Sequence, residues 1–141
     1  MEFEIGAVHD VGPTPSGALR VISIGGGTFA GPRLRGAILP GTADWARSRA
    51  DGSALVDVRM TLRTDDSAII YMAYRGVFRG PADLAARLRR GEAVPPNEYY
   101  MRGAPFFETG SEKYAWLNGI VAVGVGERTA SGARYDVYEI E

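Results

Sequence analysis

The 141-residue chain has no cysteine, one histidine and one lysine. Without cysteine it has no disulfides, no thiolate metal ligands and no cysteine nucleophile. One histidine, His9, excludes a site with several histidine ligands, and a Ser-His-Asp triad would have to use His9, which has no nucleophile elbow nearby. Carboxylates, tyrosines and arginines therefore remain as the groups with which this chain can do chemistry.

The chain also lacks a clustered excess of positive charge and any long apolar run. Its formal net charge is −1 and its pI is about 5.9, whereas nucleic-acid binding usually needs clustered Lys and Arg. No apolar run approaches the roughly 18 residues that span a bilayer, and the first ten residues do not have the pattern of a secretory signal. We expect a cytoplasmic protein with no nucleic-acid or membrane partner.

What the chain does have is 19 glycines and period-two alternation of apolar residues. Such alternation, bounded by turn residues, is typical of half-buried strands. It predicts strands at residues 3–9, 18–24, 33–39, 53–63, 68–80, 98–102, 120–125 and 133–140. Residues 41–52 and 106–108 are predicted as loops, and one helix of about ten residues is predicted after Pro81.

This pattern predicts a single all-β domain, residues 1–141, with eight or nine strands and one short helix. Evenly spaced antiparallel strands form a barrel or a sandwich, and closure into a barrel removes exposed edges. The interior of a barrel of about eight strands is either filled by side chains or holds one small ligand. We therefore expect any small-molecule site in the lumen.

A glycine run resembles a dinucleotide-binding fingerprint, since Gly25, Gly27 and Ala30 satisfy G-x-G-x-x-G/A. That fingerprint must open a helix whose N-terminus faces the pyrophosphate. Here Gly31 and Pro32 lead into another alternating segment instead. We interpret the run as a bend or bulge, and the sequence predicts no cofactor and no metal site.

The candidate catalytic residues are Asp57, Arg59 and Tyr71. Asp57 and Arg59 are two apart and so point the same way, and Tyr71 lies on the opposing strand. Two interpretations stay open: this face lines the lumen, or it is a solvated outer face with a surface ion pair. We expect the first, with the alternate residues from Val56 to Met60 packing against the helix, the other side of the sheet or a partner subunit.

Other polar residues adjoin large aromatic side chains, as at the mouths of many ligand pockets. Trp45 and Trp116 are candidate walls, although most such side chains belong to a core. The residues expected to bind a ligand are Asp44, Trp45, Tyr99, Arg102, Trp116 and Asn118.

Several short segments together resemble a known family. They are residues 26–32 (GGTFAGP), 39–45 (LPGTADW), 51–52 (DG), 64–66 (TDD), 99–102 (YYMR) and 114–118 (YAWLN). The chain is similar, over nearly its whole length, to a bacterial and fungal domain-of-unknown-function family. The resemblance implies a small calycin-type, lipocalin-like β-barrel. Thr42 and Ser67 depart from the glycines expected there, and Thr42 bears on the entrance to the lumen.

Fold resemblance alone does not give an activity. The residues favour a lumenal small-molecule site with cofactor-free acid–base catalysis, of isomerase, cyclase or hydrolase type, on a small hydrophobic or aromatic metabolite. The alternatives are a non-catalytic carrier or sensor and a structural dimerisation module. We also expect a homodimer, because residues 120–125 and the apolar face of 53–63 leave more apolar surface than the helix can cover.

Overall fold

The computed structural model describes residues 1–141 and is almost entirely β-structure. The nine strands are β1 (Glu2–Thr14), β2 (Gly17–Ala30), β3 (Arg35–Ile38), β4 (Thr42–Ser48), β5 (Ala54–Thr64), β6 (Ile69–Arg79), β7 (Tyr100–Glu108), β8 (Ala122–Arg128) and β9 (Gly132–Glu139). Helix α1 (Leu84–Arg89) and a 3-10 helix (Pro96–Glu98) lie between β6 and β7. A second 3-10 helix (Glu112–Gly119) lies between β7 and β8.

The nine antiparallel strands form one sheet that closes on itself. Strand β1 pairs with both β2 and β9, and from β9 the pairing runs through β8, β7 and β6 to β5. The last gap, between β5 and β2, is filled by two short strands, β3 near one end of the barrel and β4 near the other. This confirms the predicted antiparallel barrel, whose closure satisfies the backbone groups that an open sheet would expose.

The barrel interior is apolar along β5. Val58, Met60 and Leu62 are buried there, and their cross-strand partners on β6 include the buried Met72. The alternate residues point outward, and the Arg59 side chain is 47% exposed. Burying each apolar side chain contributes about 1.5–3 kcal/mol, whereas removing an ion from water costs several kcal/mol. The register that places the apolar set inside is therefore strongly favoured.

The prediction that Asp57 and Arg59 line the lumen is thus wrong, because both face outward. Val56, Val58 and Met60 pack into the barrel core, against residues of the other strands and Leu84 of the helix, rather than against a partner subunit. Tyr71, which pairs with Thr61, lies on the same outer face as Arg59 and is exposed. The alternation itself was predicted correctly, but the sides were exchanged.

Two segments predicted as loops are strands. Residues 42–48 form β4, which pairs with β2 on one side and β5 on the other, and residues 106–108 complete β7. The glycine run lies within β2, where Glu4 pairs with Gly26 and Ile5 with Ile24, so that Gly25 is an extra residue in the ladder. The predicted bulge is confirmed.

Glycines on β7 and β8 make room for two large interior tyrosines. A Cβ added at Gly126 would lie 2.6 Å from Cε1 of Tyr135, and one at Gly124 would lie 3.1 Å from its Cδ1. A Cβ at Gly103 would lie 3.0 Å from Cδ2 of Tyr74. The rings of Tyr74 and Tyr135 therefore occupy the space that a side chain at any of these three glycine positions would need.

The segment between β6 and β7 covers one end of the barrel. Leu84 of α1 and Val94 are buried in the main core cluster. Arg87 anchors the segment through its Nε, 2.7 Å from Glu92, and its Nη1, 2.6 Å from Glu98. The predicted helix is thus present, but it is shorter than expected.

Apolar side chains are exposed on the outer face of β8 and β9. They are Val121, Val123, Val125, Tyr138 and Ile140. The homodimer expected from the sequence now depends on this face alone, because the apolar face of β5 is internal. Among the helices, none has the length and apolar character to cross a membrane.

We predict that Gly126→Ala lowers the free energy of unfolding by about 1–3 kcal/mol, because the new methyl group overlaps the buried Tyr135 ring. Urea unfolding measures the change. Gly110→Ala is the matched control, since an added Cβ there meets nothing within 4 Å, and its effect should stay within about 0.5 kcal/mol. Equal effects of the two variants would contradict the seating of Tyr135 on Gly126.

Candidate functional site

Asp44 is a carboxylate on the interior face of the barrel. It lies opposite Val58 of β5 and Ile22 of β2, and Val58 is one of the most buried residues in the chain. Regular pairing of β4 with β5 is interrupted between Val58 and Leu55, and there the Asp57 backbone amide donates a 3.0 Å hydrogen bond to Asp44 Oδ1. A gap in the ladder thus supplies the one hydrogen bond that holds this carboxylate.

The environment of Asp44 favours its protonated form. Burial raises the pKa of Asp44 to about 6, and the nearby charge of Asp57 acts in the same direction. The amide hydrogen bond and the positive charge of Arg20 oppose the shift without cancelling it. A carboxyl group with a pKa near 6 can both accept and donate a proton at neutral pH.

Two interior tyrosines, Tyr74 and Tyr135, stand within electrostatic range of Asp44. Their ring centroids are 5.3 Å apart, and both side chains are buried. Desolvation raises the pKa of Tyr135 to about 12, although the approach of the Tyr74 hydroxyl opposes this shift, and desolvation raises the pKa of Tyr74 well above its ordinary value. The charge of Asp44 adds to both upward shifts. Both phenols are therefore neutral at physiological pH and can act as hydrogen-bond donors.

Arg128 and Tyr99 complete this group at the end of β8. The Arg128 backbone amide donates a 2.8 Å hydrogen bond to the Tyr99 hydroxyl. Burial lowers the pKa of the Arg128 guanidinium, but arginine still carries its charge at neutral pH. We term Asp44, Tyr74, Tyr99, Arg128 and Tyr135 the Asp44 cluster.

Three buried polar atoms of the barrel form no hydrogen bond of standard geometry within the protein. They are Thr42 Oγ1, Arg128 Nε and the Tyr135 hydroxyl. Buried polar groups in proteins are nearly always paired, and leaving one unpaired costs about 1–3 kcal/mol. Two of the three belong to the Asp44 cluster, and both can donate a hydrogen bond to an oxygen of a bound molecule. No three His, Cys, Asp or Glu side chains form a group that could hold a metal ion.

A concavity of about 540 Å³ lies toward the end of the barrel opposite the Asp44 cluster. Its walls come from the end of β2, the segment that follows it, the 3-10 helix Glu112–Gly119 and β9, and most of its lining is apolar. We term it the end pocket. Tyr135 belongs both to this lining and to the Asp44 cluster, so its side chain forms a wall common to the two.

The structure places some of the site residues predicted from the sequence in the barrel interior and others on the outer face. Asp44 and Tyr99 lie in the interior. Asp57, although its side chain is only 20% exposed, faces outward, where its carboxylate lies 3.3 Å from Arg59 and 3.7 Å from Arg75. The Arg59 guanidinium lies 5.3 Å from the Trp45 ring centroid, so that Trp45 also joins this outer group. The predicted catalytic face is therefore a solvated outer face with a surface ion pair, which is the second of the two interpretations that the sequence left open.

The remaining predicted residues lie apart from the Asp44 cluster. Arg102 is on the outer face, with its guanidinium 5.0 Å from the Tyr100 ring centroid. Asn118 exchanges two hydrogen bonds with the backbone of Thr109, of 2.8 and 2.9 Å, which makes it a loop-bracing residue. Trp116 lines the end pocket.

Sequence reasoning missed Tyr74, Arg128 and Tyr135 as site residues. A signal for Tyr135 was present in the alternation of Ala122, Gly124 and Gly126 on one face of β8, because a strand face of such small residues must adjoin something large. Nothing comparable marked Arg128, whose interior position depends on the register with which β8 pairs with β9.

Comparison with known proteins identifies relatives of this chain. Residues 1–140 match the family described as "Protein of unknown function (DUF3237)". The UPF0311 protein RPA1785 of Rhodopseudomonas palustris is 35% identical over 136 residues, which cover 96% of this chain and 89% of the relative. Its crystal structure has a TM-score of 0.92 to this chain, covering 97% and 90% of the two chains.

Two further relatives are informative. A crystal structure from Acinetobacter baumannii described as a "beta-barrel like protein" is 39% identical, with a TM-score of 0.84 and coverage of 99% of this chain and 91% of the other. The "Hydroalkoxylation enzyme phnH" of Penicillium herquei is 31% identical over 117 residues, which cover 83% of this chain and 62% of that enzyme.

We predict that Asp44 makes the protein less stable as the pH rises from about 4 to 7. Because the folded pKa of about 6 lies above the unfolded value of 3.8, the folded state binds more protons between these values, and the free energy of unfolding falls as the pH rises. The full shift of the Asp44 pKa corresponds to a change of at most about 3 kcal/mol in the free energy of unfolding. Urea unfolding of the wild type and Asp44→Asn at several pH values measures the difference.

The stability difference between Asp44→Asn and wild type should shift in favour of the variant across this range. Asp65→Asn is the control, because Asp65 is an exposed carboxylate outside the Asp44 cluster and its loss should keep the slope of the wild type. A difference between wild type and Asp44→Asn that does not change with pH would show that Asp44 is not protonated preferentially in the folded state.

Proposed function

This chain belongs to the DUF3237 family, and from that premise together with the Asp44 cluster we propose that it catalyses proton transfer on a small, largely apolar molecule in the barrel interior. The reaction we favour is the intramolecular addition of a hydroxyl group to a carbon–carbon double bond conjugated to a carbonyl. It needs no cofactor and no metal, because the product is an isomer of the substrate.

One observation carries the proposal: desolvation raises the pKa of the interior Asp44 carboxyl group to about 6, and Tyr135, within its electrostatic range, has a hydroxyl that forms no hydrogen bond of standard geometry in the protein. Shifted pKa values of this kind are concentrated at functional sites. The outer Asp57 group offers no comparable setting, since solvent reaches both of its arginine partners. The interior cluster is therefore the better candidate, although the sequence favoured the outer one.

The proposed reaction uses three side chains of the Asp44 cluster. Ionised Asp44 accepts the proton of the substrate hydroxyl, and the resulting oxygen attacks the β-carbon of the double bond. Negative charge then develops on the carbonyl oxygen, where the Tyr135 hydroxyl and Arg128 Nε donate hydrogen bonds. Protonated Asp44 returns its proton to the α-carbon, so that the O–H bond and the π bond of the carbon–carbon double bond are broken and one C–O and one C–H bond are formed.

The hydroalkoxylation enzyme phnH of Penicillium herquei supports this reaction class. Hydroalkoxylation is the addition of an alcohol O–H across a carbon–carbon double bond, which is a proton transfer coupled to C–O bond formation. At 31% identity that activity belongs to the relative, and its extension to this chain is part of our proposal.

We predict that Asp44→Asn reduces catalysis at least about 100-fold, the lower limit expected for loss of a general base. A first probe is 2′-hydroxychalcone, whose ring closure is followed by the loss of its absorbance. In D₂O the product should gain one carbon-bound deuterium, which mass spectrometry detects. For the wild type, kcat/KM should rise with pH through an inflection near pH 6 as Asp44 ionises.

Asp65→Asn is the matched control, because it changes an exposed carboxylate outside the Asp44 cluster and should retain the wild-type rate. Tyr135→Phe should lower kcat more than it raises KM if its hydroxyl acts on the developing oxyanion. A panel of hydroxy-enones that bind but are released unchanged by the wild type would favour the carrier alternative. Equal rates for Asp44→Asn and the wild type would contradict the assignment of the base.

A further inference from the structure

We propose that the end pocket binds a planar aromatic molecule with an anionic oxygen substituent, and that Arg33 recognises this anion. The proposal does not depend on the acid–base function, because Tyr135 is the only residue that the pocket shares with the Asp44 cluster. It concerns which ligand class enters the barrel at this end.

The pocket has the size and lining of a small-molecule site. Its volume of about 540 Å³ falls within the roughly 300–1,000 Å³ of ligand pockets, which are mainly apolar with a few polar groups. Phe29, Met72 and Phe107 contribute to the inner wall, and Trp116 and Leu117 come from the 3-10 helix. Flat aromatic walls of this kind favour a flat ligand.

Arg33 lies at the rim of this pocket, on the segment between β2 and β3. Its guanidinium carbon is 3.5 Å from the centroid of the Trp116 ring, which is close stacking. One terminal nitrogen, Nη2, forms an ion pair with Glu139 at the end of β9. Three separate parts of the chain therefore converge on this single side chain.

The arrangement leaves Arg33 able to bind a second anion. A guanidinium has five N–H donors in a planar fork, and Glu139 is its one hydrogen-bond partner in the protein. The Arg33 side chain is 52% exposed, so its remaining donors are open to a ligand. Arginine binds carboxylates with two parallel hydrogen bonds, and the apolar walls would hold an attached ring beside Trp116.

Glu139 affects the Arg33 guanidinium in two ways. It holds the guanidinium at the pocket rim, and it also competes with an incoming anion for the same charge. Removing the charge of Glu139 should therefore strengthen the binding of an anionic ligand rather than weaken it. A purely structural ion pair predicts no such gain.

The test measures binding of 2-naphthoate and of its neutral analogue 2-naphthalenemethanol by calorimetry. In Arg33→Met, which keeps an apolar stem over Trp116, 2-naphthoate should bind at least about tenfold more weakly while the neutral analogue changes less than about threefold. Arg35→Met is the matched control, because Arg35 is exposed and its nearest acid, Asp65, lies outside the pocket. Glu139→Gln should bind 2-naphthoate more tightly.

The site of binding is checked separately by NMR. The chain has two tryptophans, so in Trp45→Phe the single indole N–H signal comes from Trp116, and 2-naphthoate should shift it. Asp44→Asn should leave the affinity for 2-naphthoate unchanged, which separates this proposal from the acid–base function. Absence of binding at about 1 mM, an unmoved Trp116 signal, or equal losses for both ligands in Arg33→Met would each overturn it.

Discussion

The closure of the sheet is the constraint on which the rest of this structure depends. In a closed ring of strands every second side chain must enter a single interior, and a shift of one residue would exchange the two faces of a strand. Along β5 this constraint buries Val58, Met60 and Leu62 and sends the charged residues outward. The closure of the sheet therefore determines on which side of the barrel each strand-borne candidate site residue lies.

Glycines determine how that interior can hold polar groups. The small residues of β8 and Gly103 of β7 leave space for the rings of Tyr135 and Tyr74, which lie within electrostatic range of Asp44. The same packing removes water from Asp44 and so raises its pKa. Steric accommodation and electrostatic perturbation are thus two results of one arrangement.

The two ends of the barrel differ in character. The Asp44 cluster has charge and unpaired donors, whereas the end pocket has apolar walls and a stacked arginine at its rim. Relatives with this fold include bacterial proteins at 35% and 39% identity and a fungal enzyme at 31%. A small barrel with distinct polar and apolar compartments offers separate places for a reacting group and for a hydrophobic body.

The sequence by itself determined the fold class, the principal hairpins and the bulge in the glycine run, because alternation and turn residues are local properties of the chain. It also drew attention to Asp44 and Tyr99. It did not predict β4, since a seven-residue strand that fills a gap between β2 and β5 is defined by its partners. Only the tertiary structure decided which face of β5 is internal, because that choice depends on the burial energy of all strands together. The convergence of Asp44, Tyr74, Arg128 and Tyr135 was likewise decided there, since these residues lie on four strands and meet only through the register of the closed barrel.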